Sequence, residues 1–237
     1  MLIFPAIDLY GGKAVRLYKG DYAQMTVYSD NPLSVAKDFE NKGATWVHLV
    51  DLEGAKDGTT PNIETIKSIV KNTNLSVEIG GGIRSMETVK EYLDAGVKRV
   101  IIGTAAVNDK AFLETAIKTY GDKIAVGVDV KDGYVAIKGW VEKSNYDCFE
   151  FCGMMQDAGV KYIICTDISK DGAMKGTNRE LYKELSNKFN LNITASGGVS
   201  SMDDVIALNN LGLYGAIIGK AYYVNSIDLN EAVEATK

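Results

Sequence analysis

The sequence predicts an α/β fold, a single (β/α)8 TIM barrel built from two duplicated half-barrels. Three observations carry this expectation. Eight short β-branched runs alternate with amphipathic stretches, 237 residues suit one such barrel, and several motifs recur at one fixed interval. An open sheet of eight parallel strands would leave two edges to cover, and closure removes both.

The expected strands are Leu2–Ile7, Trp46–Val50, Val77–Ile79, Arg99–Ile102, Ile124–Val128, Tyr162–Cys165, Asn192–Ala195 and Gly215–Ile218. Each is a short run rich in branched and aromatic side chains, as strands buried on both faces require. Helical periodicity follows each one, at Pro32–Lys42, Asn62–Lys71, Ser85–Ala95, Asp109–Tyr120, Asp147–Ala158, Arg179–Lys188, Ser201–Leu211 and Ile227–Ala235. Ser85 and Ser201 are expected N-caps followed by acidic first turns, and Gly43, Gly96, Gly159 and Gly212 stand at expected C-termini.

No linker splits the chain, so residues 1–237 are read as one domain with half-barrels of about 1–120 and 121–237. Val77-Glu-Ile-Gly-Gly-Gly82-Ile-Arg84-Ser-Met returns as Thr194-Ala-Ser-Gly-Gly198-Val-Ser-Ser-Met. Ile101-Ile-Gly103 likewise returns as Ile217-Ile-Gly219, and Asp51 as Asp167, each at a spacing of 116 residues. A repeat this long points to a duplicated architecture.

A composition of 46% hydrophobic and 24% charged residues excludes a disordered, collagenous or coiled-coil chain. The net charge of -5, with no run of basic residues, argues against nucleic acid as a partner and favours a small molecule. The start of the chain lacks a basic n-region and a membrane-length apolar run, so a cytoplasmic protein without a membrane partner is expected. Cys148, Cys152 and Cys165 form no Cys-x-x-Cys pair and are read as structural thiols. With His48 as the only histidine, no metal site is expected. Acid-base chemistry then falls mainly to carboxylates.

Active sites of such barrels lie at the C-terminal ends of the strands. That position selects Asp8, Asp51, Gly80 to Arg84 (with Gly82), Gly103 and Thr104, Asp129, Thr166 and Asp167, Ser196, Gly197 and Gly198, and Gly219 and Lys220. Glycine pairs let backbone approach a phosphate, and the following helix N-terminus supplies free N–H groups. The signature occurs at the third and fourth strands and again at the seventh and eighth, so two phosphate sites are expected to face one another. The ligand would be elongated and twice phosphorylated. On the alternative reading these glycines only permit tight turns.

Asp8 and Asp129 would stand on either side of such a ligand as acid and base, the acid member raised by burial or nearby negative charge. Alternatively they are capping or ion-paired groups, with Lys13, Arg16 or Lys131 as partners. His48 lies inside a strand and reads as a core or supporting histidine with substrate contact as the alternative. Asp51 and Asp167 either touch substrate hydroxyls or cap loops. Asp171 lies in the segment from Asp167 to Gly176, which carries Lys170 and Lys175 and reads as a lid. Trp140 could stack on a planar heterocycle or simply pack. No lysine ends the sixth strand, which disfavours Schiff-base aldolase chemistry.

These motifs resemble a known enzyme family. Phe4-Pro-Ala-Ile-Asp8-Leu, Gly12-Lys-Ala-Val-Arg16-Leu, His48-Leu-Val-Asp51-Leu, Gly80-Gly-Gly-Ile-Arg84, Gly127-Val-Asp129, Gly139-Trp140, Thr166-Asp-Ile-Ser-Lys-Asp-Gly172 and Ala195-Ser-Gly-Gly198 are similar to the phosphoribosylformimino-5-aminoimidazole carboxamide ribotide isomerases of histidine biosynthesis. The likeness runs over essentially the whole chain. It implies an Amadori rearrangement of a bisphosphorylated aminoaldose to an aminoketose without metal or organic cofactor. Asp8 falls on the family's general base and Asp129 on its general acid. Thr166 matches a polar residue near the reacting sugar, and Arg84 and Trp140 match substrate contacts. Cys165, where an aromatic is common, and Ala173, where threonine is frequent, depart from the pattern beside the lid. The alternatives are a dual-substrate isomerase that also accepts phosphoribosylanthranilate, the related cyclase barrel, and a non-catalytic sugar-phosphate sensor. A monomer is expected, because no heptad or exposed apolar strand suggests an interface.

Overall fold

A computed structural model describes residues 1–18 and 20–237. The chain runs β1 (Leu2–Tyr10), β2 (Lys13–Tyr18), β3 (Asp21–Ser29), α1 (Pro32–Asn41), β4 (Trp46–Asp51), α2 (Leu52–Asp57), α3 (Ile63–Asn72), β5 (Ser76–Gly80), α4 (Met86–Asp94), β6 (Arg99–Ile102), α5 (Thr104–Asn108) and α6 (Lys110–Tyr120). It continues β7 (Ile124–Lys131), β8 (Tyr134–Ile137), β9 (Glu142–Asp147), α7 (Cys148–Asp157), β10 (Tyr162–Asp167), α8 (Arg179–Lys188), β11 (Asn192–Ser196), α9 (Met202–Asn210), β12 (Gly215–Ile218), α10 (Lys220–Tyr223) and α11 (Leu229–Glu234).

Eight of these strands, β1, β4, β5, β6, β7, β10, β11 and β12, pair in parallel, and β10 returns to β7 to close the ring. All eight expected strands are present, some running one to three residues further toward the mouth. The eight expected helices are present as well. Ser85 and Ser201 cap α4 and α9 by accepting the N–H groups of Thr88 and Asp204.

Two hairpins, β2–β3 and β8–β9, were not expected from the sequence. They stand on the mouth after β1 and β7. The reason is physical: β3 is exposed along most of its length, so it lacks the apolar alternation by which a strand is recognised.

Alternation along each barrel strand divides the core in two. One set of side chains, including Ile7, Leu49, Ile79, Val128 and Ile163, packs outward under the helices. Phe4, Ala6, Ile101, Ala125, Ile164 and Ile217 fill the interior, with Trp46, Tyr162 and Tyr214 packed against them. Above that plug the interior positions become small or polar: Gly80, Gly103, Asp129, Thr166, Ser196 and Gly219. This change of size opens the C-terminal mouth.

Candidate active site

The register of β1 raises Asp8 above the packed interior, where its carboxylate accepts Arg16 Nη1 of β2 at 3.0 Å. The ion pair considered from sequence therefore forms with Arg16, while Lys13 pairs with Asp30 instead. Arg16 Nη2 also donates to the Ala6 carbonyl, which accepts the Tyr223 hydroxyl at 3.0 Å. Burial opposes the guanidinium charge, but Asp8, Tyr223 and Asp171 outweigh it and leave the Arg16 pKa raised.

Asp129 of β7, four strands around the ring from β1, neighbours Thr166 of β10 directly. Its carboxylate accepts Trp140 Nε1 at 2.8 Å. Burial pushes the Asp129 pKa up, opposed by hydrogen bonds from Trp140 and Thr166. The β8–β9 turn places Trp140 for this bond by giving it a φ of 72°, unusual for a bulky residue, and its ring lies over Gly20. Trp140 thus touches the candidate acid itself, a contact that the sequence does not reveal.

The segment after β10 folds over the mouth, with Lys220 donating to the Gly172 carbonyl at 3.1 Å. It carries Asp171 among Arg16, Asp8, Asp129 and Lys220. Burial is the main reason that the Asp171 pKa is pushed up to about 6, with the two aspartates raising it further against Arg16 and Lys220. Three carboxyl groups therefore share one electrostatic neighbourhood, and in it the pKa values of Asp129 and Asp171 are both raised, chiefly by burial.

The glycine loops repeat in detail. A Cβ on Gly82 would lie 1.7 Å from the Gly54 carbonyl oxygen, and one on Gly198 would lie 2.4 Å from that of Gly176. Close backbone contact alone demands glycine at these two positions. Gly103 and Gly219 differ: they begin α5 and α10 with φ and ψ of -97° and -106°, and -101° and -107°, and neither helix has a side-chain cap bond. They follow β6 and β12 on opposite sides of the ring, and their first N–H groups have no partner within the helix. Gly103 has open space where a Cβ would stand, whereas Gly219 lies beneath the Arg16 guanidinium. Thr104 accepts the Lys138 backbone N–H through its hydroxyl.

Asp51 and Asp167 act as paired loop clamps. Asp51, fully buried, accepts Gly54 N at 2.9 Å and Asn62 Nδ2 at 2.8 Å. Asp167 accepts the Ser169 N–H and hydroxyl and Asn178 Nδ2 at 2.7 Å. These bonds support the loop-capping alternative for both. Ser196 is held through its backbone by the buried Tyr182 hydroxyl. Arg84 is exposed and donates to the Ala55 carbonyl at the rim.

His48 points into the barrel one level below Asp8, and its Nδ1 lies 2.8 Å from Glu78 Oε1. Glu78 in turn accepts Arg99 Nη1 at 3.2 Å. Glu78, Arg99 and Tyr223 are parts of this constellation that sequence reasoning passed over. The available signal was a charged residue at an inward position of an otherwise apolar strand, at Glu78 and again at Arg99.

Known proteins resemble the chain over its whole length. The chain is 50% identical over 233 residues, 98% of both chains, to the 1-(5-phosphoribosyl)-5-((5-phosphoribosylamino)methylideneamino)imidazole-4-carboxamide isomerase of Clostridium acetobutylicum. It is 48% identical to the isomerases of the same name from Clostridium beijerinckii, covering 100% of this chain and 99% of that protein, and from Brachyspira hyodysenteriae, covering 100% of each. The family profile described as histidine biosynthesis protein matches residues 2–228, nearly the whole barrel, and the chain belongs to that family.

Proposed function

We propose that the protein catalyses the aldose–ketose isomerisation named for its relatives, converting a bisphosphorylated aminoaldose to the aminoketose by an Amadori rearrangement. The observation that carries this reading is the convergence of Asp8 and Asp129 on one mouth between the uncapped starts of α5 and α10. Asp129, raised by burial, protonates the ribose ring oxygen and opens the ring to a Schiff base. Asp8 then removes the C2 proton, giving an enolamine that tautomerises to the ketose. The rearrangement moves protons within one molecule and consumes no redox equivalents.

Gly82, Gly103, Thr104, Ser196, Gly197, Gly198, Gly219 and Lys220 line the two phosphate positions on this reading. Arg84, Trp140, Thr166 and Asp171 enclose the substrate between them, with Asp167 holding the loop that carries Asp171. The same constellation recurring 116 residues on supports two duplicated half-barrels, about 1–120 and 121–237, within one domain. The protein is read as a cytoplasmic monomer; among the described residues no helix is long and apolar enough to cross a membrane.

A second assignment of the acid has its own observation: Asp171, at about 6, carries a proton at neutral pH more readily than an ordinary carboxylate. The test is an isomerase assay in chelator-treated buffer with the bisphosphorylated aminoaldose, run beside phosphoribosylanthranilate. Turnover of the first substrate is expected, and turnover of the second as well would make the enzyme bifunctional. No turnover by folded protein overturns the proposal and brings forward the cyclase or sensor reading.

A further inference from the structure

The buried charges beneath the mouth carry an inference about His48, resting on the acid role given to Asp129 above. Glu78 is fully buried, Arg99 nearly so, and the Arg99 guanidinium stacks 3.7 Å above the Tyr162 ring centroid. Trp46 and Tyr214 complete an aromatic cage, and Tyr214 also accepts Arg99 Nη2 at 2.9 Å. With this cage beneath it, His48 stands at the level of Ala6, two residues below Asp8 on the way to the mouth.

The chemistry of the chain fixes the direction of each bond. Arginine has only donors, so Glu78 must offer Arg99 an acceptor, and the ionised carboxylate paired with it offers His48 an acceptor too. Nδ1 of His48 therefore donates to Glu78 Oε1. We propose that Arg99 and Glu78 lock His48 in the tautomer with its proton on Nδ1, so that Nε2 presents a lone pair to the floor of the site and accepts a hydroxyl of the bound sugar.

The lock also matters for the acid. A second proton on His48 would place positive charge beneath the carboxyl groups, and that charge acts on Asp129 in the direction of ionisation. The charged or titratable groups around the ring include Asp8 from β1, Arg16 from β2, Glu78 from β5, Arg99 from β6, Asp129 from β7, Asp171 from the segment after β10, and Lys220 and Tyr223 from α10. A neutral acceptor at His48 leaves Asp129 without a donor from below, as a proton-carrying acid needs.

His48 is the sole histidine in the sequence, so a protein labelled with 15N-histidine gives one imidazole spin system. At pH 8 the two-bond 15N–1H spectrum is expected to show a protonated Nδ1 and an unprotonated Nε2. Glu78→Gln should invert this pattern. The glutamine carbonyl must face Arg99, which turns its NH2 toward Nδ1 and moves the histidine proton to Nε2. The same variant should lose about tenfold in kcat with a smaller change in KM, the scale of one lost hydrogen bond.

A wild-type spectrum with Nε2 protonated, or with both nitrogens protonated at pH 8, overturns the proposal without any variant having to fold. If Glu78→Gln proves unstable, His48→Gln, which keeps an acceptor, should retain more activity than His48→Ala, and equal activity of the two would also overturn it. The expected spectrum together with full activity in Asp129→Asn would leave the lock standing and refute the acid assignment. The opposite pair of results would refute the lock alone.

Discussion

Replacing Trp140 with phenylalanine removes one hydrogen bond to Asp129 while leaving an aromatic ring at the same left-handed position. The indole N–H donates at 2.8 Å to the carboxylate, so it stabilises the ionised form and holds the Asp129 pKa down against burial. A hydrogen bond to a charged group contributes about 1.5–3 kcal/mol. Trp140 and Asp129 are only half-buried, so the lower end applies, equivalent to about one pKa unit. Loss of the bond raises the folded pKa, and Asp129 keeps its proton to higher pH. As general acid it would then extend the alkaline limb of the kcat/KM profile upward by about one unit. A profile measured from pH 5 to 10 on wild type and Trp140→Phe decides the matter. Movement of the acidic limb would make Asp129 the base. Two unmoved limbs would refute the reasoning and favour Asp171, which Trp140 does not touch, as the titrating acid.

Four further outcomes follow from the same geometry. Gly82→Ala drives its methyl into the Gly54 carbonyl at 1.7 Å and should destabilise by more than about 4 kcal/mol. Gly103→Ala, with open space at its Cβ, should stay folded and raise KM several-fold; thermal melts and initial rates separate the two. Asp51→Ala leaves the buried Gly54 and Asn62 donors unpaired and should cost about 3–5 kcal/mol, seen as a Tm lowered by about 10 °C. Asp171→Asn should stabilise the protein above pH 6. Burial lifts its folded pKa to about 6, above the ordinary aspartate value of about 3.9, so ionisation disfavours the native state as pH rises between these values. A Tm gain at pH 8 that vanishes at pH 3.5 is expected, and a loss at both would contradict it.

Much of the architecture was legible because burial on both faces writes strands as short apolar runs and helices as caps around a 3.6-residue period. β7, from Ile124 to Lys131, announces itself this way, and so does α9 behind its Ser201 cap. The β2–β3 hairpin did not, since an exposed ribbon needs no apolar alternation. At the site, strand ends located Asp8, Asp129 and the glycine loops by position alone. The role of Asp51 is decided by Asn62 eleven residues on, and that of Trp140 by a turn whose backbone angles no composition encodes. Arg16 could be named from sequence as one of several partners for Asp8, but choosing it over Lys13 needs the register of β1 on β2. Glu78 and Arg99 sit in strands whose apolar neighbours mask them, and their pairing across β5 and β6 follows from strand adjacency rather than from chain order.

On the proposed mechanism Asp8 and Asp129 work as a base and acid pair on one bisphosphorylated aminoaldose. Single-turnover and steady-state rates of Asp8→Asn and Asp129→Asn, measured beside wild type on folded protein, test it most directly. A fall of about 10²-fold or more in kcat is expected for each, with the substrate still bound. Retention of a tenth or more of wild-type kcat by either variant would contradict it.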